Sequence, residues 1–222
     1  MLKPKKKIGK QNLKEDKFIK FIMDSKSYLE ENYTRVLTYS GVFIAVIVIF
    51  ALLKYVNMTK REKADGILGI AQIEYSERNF SKAAQRLKIV LEDYGSTDEA
   101  DQARFLLANI YYEQNRYEEA KQLYQEFIDS FSGNSIMLAS AQAGLAACLE
   151  ESKEFASAGD WYKKAAKTAG AFSEADNYRY LAGICYKKAG EKDQAKEQFE
   201  KLVNNSDKAD AAETQLIMLN NM

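Results

Sequence analysis

The sequence predicts an all-α protein: an α-solenoid of about four helical hairpins plus a capping helix, preceded by one transmembrane helix. Three observations carry this prediction. First, a frame of small residue, alanine and bulky residue recurs as Ala71/Ala83/Leu87, Ala108/Ala120/Tyr124, Ala146/Ala158/Tyr162 and Gly183/Ala195/Phe199, with separations of 12 and then 4 each time. The second alanines lie 37, 38 and 37 residues apart, and a fixed period in this range marks a helical repeat array. Second, Pro4 is the only proline in 222 residues, and a chain rich in Ala, Leu, Glu, Lys and Gln loses little side-chain freedom in a helix. Third, Val36 to Leu53 reads VLTYSGVFIAVIVIFALL, eighteen residues without a charge.

Composition narrows the function classes. The net charge of zero conceals an asymmetry: residues 1–56 hold eleven Lys/Arg against five Asp/Glu, and residues 57–222 hold 21 against 27. A basic tail is therefore joined to a mildly acidic body. There is no histidine, which removes a histidine general base, a catalytic triad and histidine metal ligation. Cys148 and Cys185 stand at equivalent repeat positions, where Ile73 and Ile110 stand in the other copies. Equivalent positions in stacked helices are about 10 Å apart, beyond the ~7 Å Cα reach of a disulfide, so both are expected to be buried free thiols.

Residues 1–35 open with Lys3, Lys5, Lys6, Lys7 and Lys10, which reads as a basic cytosolic tail near anionic lipid, with nucleic-acid binding as the sharper alternative. From Leu13, the spacing of Phe18, Phe21, Ile22, Met23, Tyr28 and Leu29 among lysines suggests a short amphipathic helix on the membrane surface or a loosely helical linker. The stretch 36–56 is then the transmembrane helix, because eighteen uncharged residues fall within the ~17 to 25 that cross a bilayer core. A cleaved signal peptide would have a short charged leader and a small-x-small site, whereas about 35 residues precede this segment and FALLKYVNM holds no such site. Lys20, Lys26 and Arg35 before the segment nearly balance Lys54, Lys60, Arg61 and Lys63 after it. The extra lysines of the tail tip the expectation toward a cytoplasmic N-terminus, with the body on the outer side.

The array occupies 57–222, in repeats of about 64–97, 101–134, 139–172 and 176–209. Each copy divides into helix A and helix B, as in Asp98–Gln114 and Tyr117–Phe131. Asn115 and Gly190 suit the left-handed residue that ends helix A, while Arg78 and Lys153 occupy the same slot less comfortably. Gly95-Ser96, Ser132 to Ser135, Gly170 and Asn204 to Ser206 separate the repeats, and Ser96 with Glu99 and Ser173 with Asp176 read as helix N-caps. Ala209 to Met222 reads as the capping helix that covers the last apolar face.

The frame resembles the tetratricopeptide repeat, whose pattern places Leu-Gly and Tyr in helix A and Ala and an aromatic in helix B. Leu107-Ala108 with Tyr111, Ala120 and Tyr124 carries the resemblance, as does Ala182-Gly183 with Tyr186, Ala195 and Phe199. Small residues let the helices approach, and the aromatics fill the hollow beside the next hairpin. Arg104 stands where the family has a helix-A tryptophan, the terminal proline is missing, and the period is 37 or 38 where the family has about 34. With the N-terminal anchor, the chain is similar to the single-pass tetratricopeptide proteins of the bacterial envelope, including the translocon-associated type.

That resemblance implies a protein-binding groove along the A helices. Its positions here hold Leu68, Gln72 and Tyr75, then Phe105, Asn109, Tyr112 and Glu113, then Ala143, Ala147 and Glu150, then Tyr180, Ile184 and Lys187. Exposed aromatics give contact area to a peptide at low entropic cost; the competing reading makes several of them inter-repeat core. Only Asn109 fits the family's carboxylate-clamp subset, and Trp161 beside Tyr162 reads as packing. No phosphate loop, metal-ligand cluster or nucleophile-base pair stands out. The expectation is a non-enzymatic, cofactor-free adaptor, scaffold or chaperone-like partner in the bacterial cytoplasmic membrane. It would bind other proteins, such as export-channel or envelope-assembly components, but neither nucleic acid nor a small-molecule substrate. The alternative is a structural subunit with a fixed partner and no client.

Overall fold

The computed structural model describes residues 17–131, 133–203 and 207–221, and ten helices with no strand make up the ordered structure of these residues. The basic run Lys3 to Lys10 and the predicted breaker Asn204 to Ser206 lie outside them. Contacts divide the chain into Met1–Val56 and Asn57–Met222.

In the first unit, α1 (Lys17–Glu31) exposes Phe21, Ile22, Met23, Tyr28 and Leu29. Helix α2 (Tyr33–Ser76) follows after Asn32 and runs for 44 residues across the unit boundary. The sequence contains no break here: LKYVNMTKREKAD between Leu53 and Asp65 lacks both proline and glycine, so nothing ends the apolar stretch before helix A of the first repeat begins. One window of α2 is long and apolar enough to cross a membrane, and none of it is buried within the protein.

In the second unit, the end of α2 is followed by α3 (Phe80–Asp93), α4 (Asp98–Glu113), α5 (Tyr117–Ser130), α6 (Ser135–Glu151), α7 (Phe155–Ala169), α8 (Glu174–Lys188), α9 (Lys192–Glu200) and α10 (Ala209–Asn220). Helices α2, α4, α6 and α8 are the A helices; α3, α5, α7 and α9 are the B helices. Every member of the twelve-residue frame is buried. Ala83, Ala120, Ala158 and Ala195 have no exposed surface at all, because a methyl group is all that the gap between the helices of a hairpin admits.

The four A-to-B turns are built alike. Arg78, Asn115, Lys153 and Gly190 have φ of 61°, 60°, 62° and 80°. In each turn the next residue's N–H reaches back to the A helix, as in Arg116 N to Tyr111 O at 2.8 Å and Glu154 N to Leu149 O at 2.8 Å. This is the backbone pattern by which a left-handed residue satisfies the last helical carbonyls. The repeat imposes it on Arg78 and Lys153 although neither side chain favours it.

The helix starts correct two expectations. The residue before α4 is Thr97, not Ser96, and its hydroxyl donates to Tyr94 O at 2.9 Å instead of capping the helix. Ser173 does precede α8, but its hydroxyl donates to Glu174 at 3.0 Å. The side-chain cap is instead at α6, where Asn134 Oδ1 accepts from Ile136 N at 2.7 Å, as a short amide at that position can. Cys148 and Cys185 are free and fully buried, and burial pushes both thiols up to about 12. Ile73, their counterpart in the first repeat, is 59% exposed, because no earlier repeat covers it. At the other end, α10 packs on α9 and buries Ala212 and Leu219.

Candidate partner-binding face

The repeat frame determines which A-helix residues share a face. Counting four residues on from Ala71, Ala108, Ala146 and Gly183 gives Tyr75, Tyr112, Glu150 and Lys187. All four are half-buried, so each offers part of its side chain while its base is held by neighbours.

Tyr75 packs on Phe80 with ring centroids 5.6 Å apart, and Tyr112 on Tyr117 at 5.5 Å. In both pairs the A-helix ring rests on the first turn of its own B helix, which fixes the ring at little entropic cost. Burial and then the carboxylate of Glu113 raise the Tyr75 phenol above its ordinary value. Burial and then Glu151 do the same for Tyr112. Each hydroxyl thus stays protonated and able to donate. Between them, Asn109 accepts a hydrogen bond from Tyr124 Oη at 2.5 Å. Farther along, Glu150 pairs with Lys188 at 2.7 Å, and Lys187 Nζ donates to Gln215 of α10 at 2.8 Å. The face therefore changes from aromatic and acidic at its start to basic at its end.

The structure sorts the predicted lining residues. Gln72 and Glu113 are exposed, and Tyr75, Asn109, Tyr112, Ala147, Glu150, Ile184 and Lys187 are half-buried along the A helices. Leu68 is 2% exposed and belongs to the core, so it is removed from the set; Ala143 is buried as well. Phe105 contacts the rings of Phe127 at 5.5 Å and Tyr124 at 6.1 Å, and Tyr180 contacts Phe199 at 5.7 Å. These two aromatics join successive helices in the core. Glu151, Tyr117 and Lys188 were not foreseen. Glu151 and Lys188 share the frame position of Glu113, and that register was the signal that would have found them. Tyr117 meets Tyr112 only through the turn. Trp161, half-buried on α7, lies under Lys164 Nζ at 4.2 Å and lines a cleft with Leu145 and Leu149.

Two family models described as tetratricopeptide repeat match the chain, over residues 68–135 and 178–209. Among solved structures it is similar to the MamA protein at 20% identity, over 64% of this chain and 72% of that one, with a TM-score of 0.54. It is similar to YrrB, a TPR protein with an unusual peptide-binding site, at 20% identity over 62% and 66%, with a TM-score of 0.51. A kinesin light chain type of Podosopora anserina, made of nearly identical TPR-like repeats, matches at 14% identity over 72% and 92%, with a TM-score of 0.55. At these identities the likeness is one of fold. No curated protein matches the chain in sequence.

Proposed function

We propose that this chain, which belongs to the tetratricopeptide-repeat family, is a membrane-tethered adaptor that holds other proteins along its A-helix face in a bacterial cell envelope. The fold makes it a protein–protein interaction module; the tether and the place are our reading. The observation that carries the reading is that no residue in the apolar window of α2 is buried, although it is the most apolar stretch in the chain. An unburied helix of eighteen apolar residues, rising about 27 Å at ~1.5 Å per residue, finds its solvent in a bilayer core of about 30 Å. The amphipathic α1 lies along the cytoplasmic headgroups, and the acidic repeats lie outside, beside the export or envelope-assembly machinery.

On this reading Tyr75 and Tyr112 provide the anchors for an extended or helical segment, with Gln72, Asn109 and Glu113 supplying polar register. Protease added to spheroplasts tests the tether: rapid loss of residues 57–222 with retention of the N-terminal fragment in the membrane supports it. Survival of the repeats until permeabilisation reverses the orientation, and recovery of the whole chain in the soluble fraction removes the tether. Photo-crosslinking from position 112 tests the face. A heterogeneous set of client proteins is expected, while one stoichiometric partner would make the chain a fixed structural subunit.

A further inference from the structure

Three clefts of similar size lie between successive B helices, one repeat apart. The first, of about 340 Å³ between α3 and α5, carries Lys88 against Glu92, Glu119 and Glu126. The second, of about 470 Å³ between α5 and α7, carries Lys121 and Glu126 over Leu145, Leu149 and Trp161. The third, of about 490 Å³ between α7 and α9, is lined by Lys163, Lys164, Lys167, Arg179 and Lys201, with Asp160 as its single lining carboxylate. The packing of repeats accounts for the clefts. It does not account for five cations in one of them on an otherwise acidic domain.

Some of that charge is already engaged. Lys201 and Lys163 reach Glu197 at 2.6 and 4.0 Å, Arg179 reaches Asp176 at 2.6 Å, and Asp160 accepts from Tyr186 Oη at 2.7 Å. Among the described residues Lys164 has only the Trp161 ring, and Lys167 forms no ion pair. A second observation is independent of charge. Gln198 lines the same cleft, is 2% exposed, and its Nε2 has no hydrogen-bond partner. The neighbouring Glu197 carboxylate, held by Lys201, comes near this amide without bonding geometry. A buried amide left without an acceptor costs about 1 to 3 kcal/mol, and a leucine or methionine would have filled the position without that cost.

We propose that this third cleft is a second binding site, which takes a carboxylate-rich peptide segment of a protein partner. The segment's carboxylates meet Lys164 and Lys167, and one of them accepts from Gln198 Nε2. The cations are spread over three helices around a volume several times that of one phosphate, so a run of carboxylates fits better than a single ion. The site lies between the B helices α7 and α9, with Arg179 contributed by α8, and it uses neither the aromatic A-helix face nor the tether.

Trp161 is the only tryptophan in the chain; it lines the neighbouring second cleft, but Lys164 of the third sits on its ring, so its emission reports on this cleft through Lys164 and not on the basic N-terminal tail. The full chain in neutral detergent is titrated with octaglutamate, with octalysine and with inorganic phosphate. A saturable change with octaglutamate is expected, weakening as salt rises, and none with octalysine. Lys167→Glu and the milder Lys167→Gln should raise the midpoint at least tenfold and threefold. Gln198→Met should raise it about fivefold while leaving the melting temperature unchanged or higher, which a purely structural glutamine would not do. Lys82→Glu on α3 should leave it within twofold. The assignment is overturned by no saturable change, by a wild-type midpoint in either the Lys167 or the Gln198 variants, or by phosphate saturating the signal at lower concentration than octaglutamate.

Discussion

Tyr124 donates a 2.5 Å hydrogen bond to Asn109 of α4, and its ring lies across Gly144 of α6, where an added Cβ would stand 2.6 Å from Cε1. One side chain of α5 thus joins three helices from two hairpins. Gly144→Ala should cost about 1 kcal/mol, because overpacking of roughly 1 to 3 kcal/mol exceeds the ~1 kcal/mol helix gain of alanine. Tyr124→Phe should cost about 0.5 to 1.5 kcal/mol by removing the hydrogen bond. Thermal melts followed by circular dichroism check both; a Gly144→Ala protein that melts higher would show that the ring gives way freely.

The four left-handed turn residues order themselves by side chain. Left-handed backbone costs an ordinary L-residue about 1 to 2 kcal/mol, and glycine returns part of that through its larger unfolded-state entropy. Lys153→Gly and Arg78→Gly should each stabilise by roughly 0.5 to 1 kcal/mol, Asn115→Gly by less, and Gly190→Ala should destabilise by about 1 kcal/mol. Urea midpoints of the four variants read out the order directly.

Ala120 has no exposed surface and lies between α4 and α5. Ala120→Leu should lower stability by about 1 to 3 kcal/mol through overpacking. An unchanged melt would mean that the helices are not in close contact there.

Alkaline pH should weaken the repeat domain. The thiols of Cys148 and Cys185 are raised from 9.0 to about 12 by burial, and burial also raises the phenols of Tyr124, Tyr162 and Tyr186. Above pH 9 the unfolded chain releases protons that the folded chain retains, so stability falls with rising pH. Each thiol contributes up to about 1.4 kcal/mol per pH unit between 9 and 12, and neither has an effect below about pH 8. Denaturant titrations at pH 7.5, 8.5 and 10 should coincide at the first two and weaken at the third. The same burial predicts that thiol reagents label neither cysteine until denaturant is added.

Tyr112→Ala and Phe105→Ala should separate binding from packing. Tyr112 is partly exposed beside Tyr117, so its loss should cut the yield of co-purified partner about tenfold, with a melting shift of only a few degrees. Phe105 rests on Tyr124 and Phe127, so its loss should destabilise by about 2 kcal/mol. Equal melting losses would place both rings in the core.

The sequence by itself determined the helical class, the repeat register and the hairpin turns. Burial at a close helix contact forces small residues at Ala108 and Ala120, and a 37-residue spacing repeats that demand where no turn residue helps, as at Lys153. It also determined that Cys148 and Cys185 are buried, since their frame position is Ile110's. The tertiary structure decided the rest. Leu68 and Phe105 share one frame position that reads as groove, yet both pack into the core, because periodicity gives a side chain's direction and not the depth to which its neighbours cover it. Ile73 is exposed because it belongs to the first repeat, a matter of position in the stack. The cationic cleft draws Lys167, Arg179, Gln198 and Lys201 from three helices, and no spacing along the chain brings them together until the third and fourth hairpins are packed.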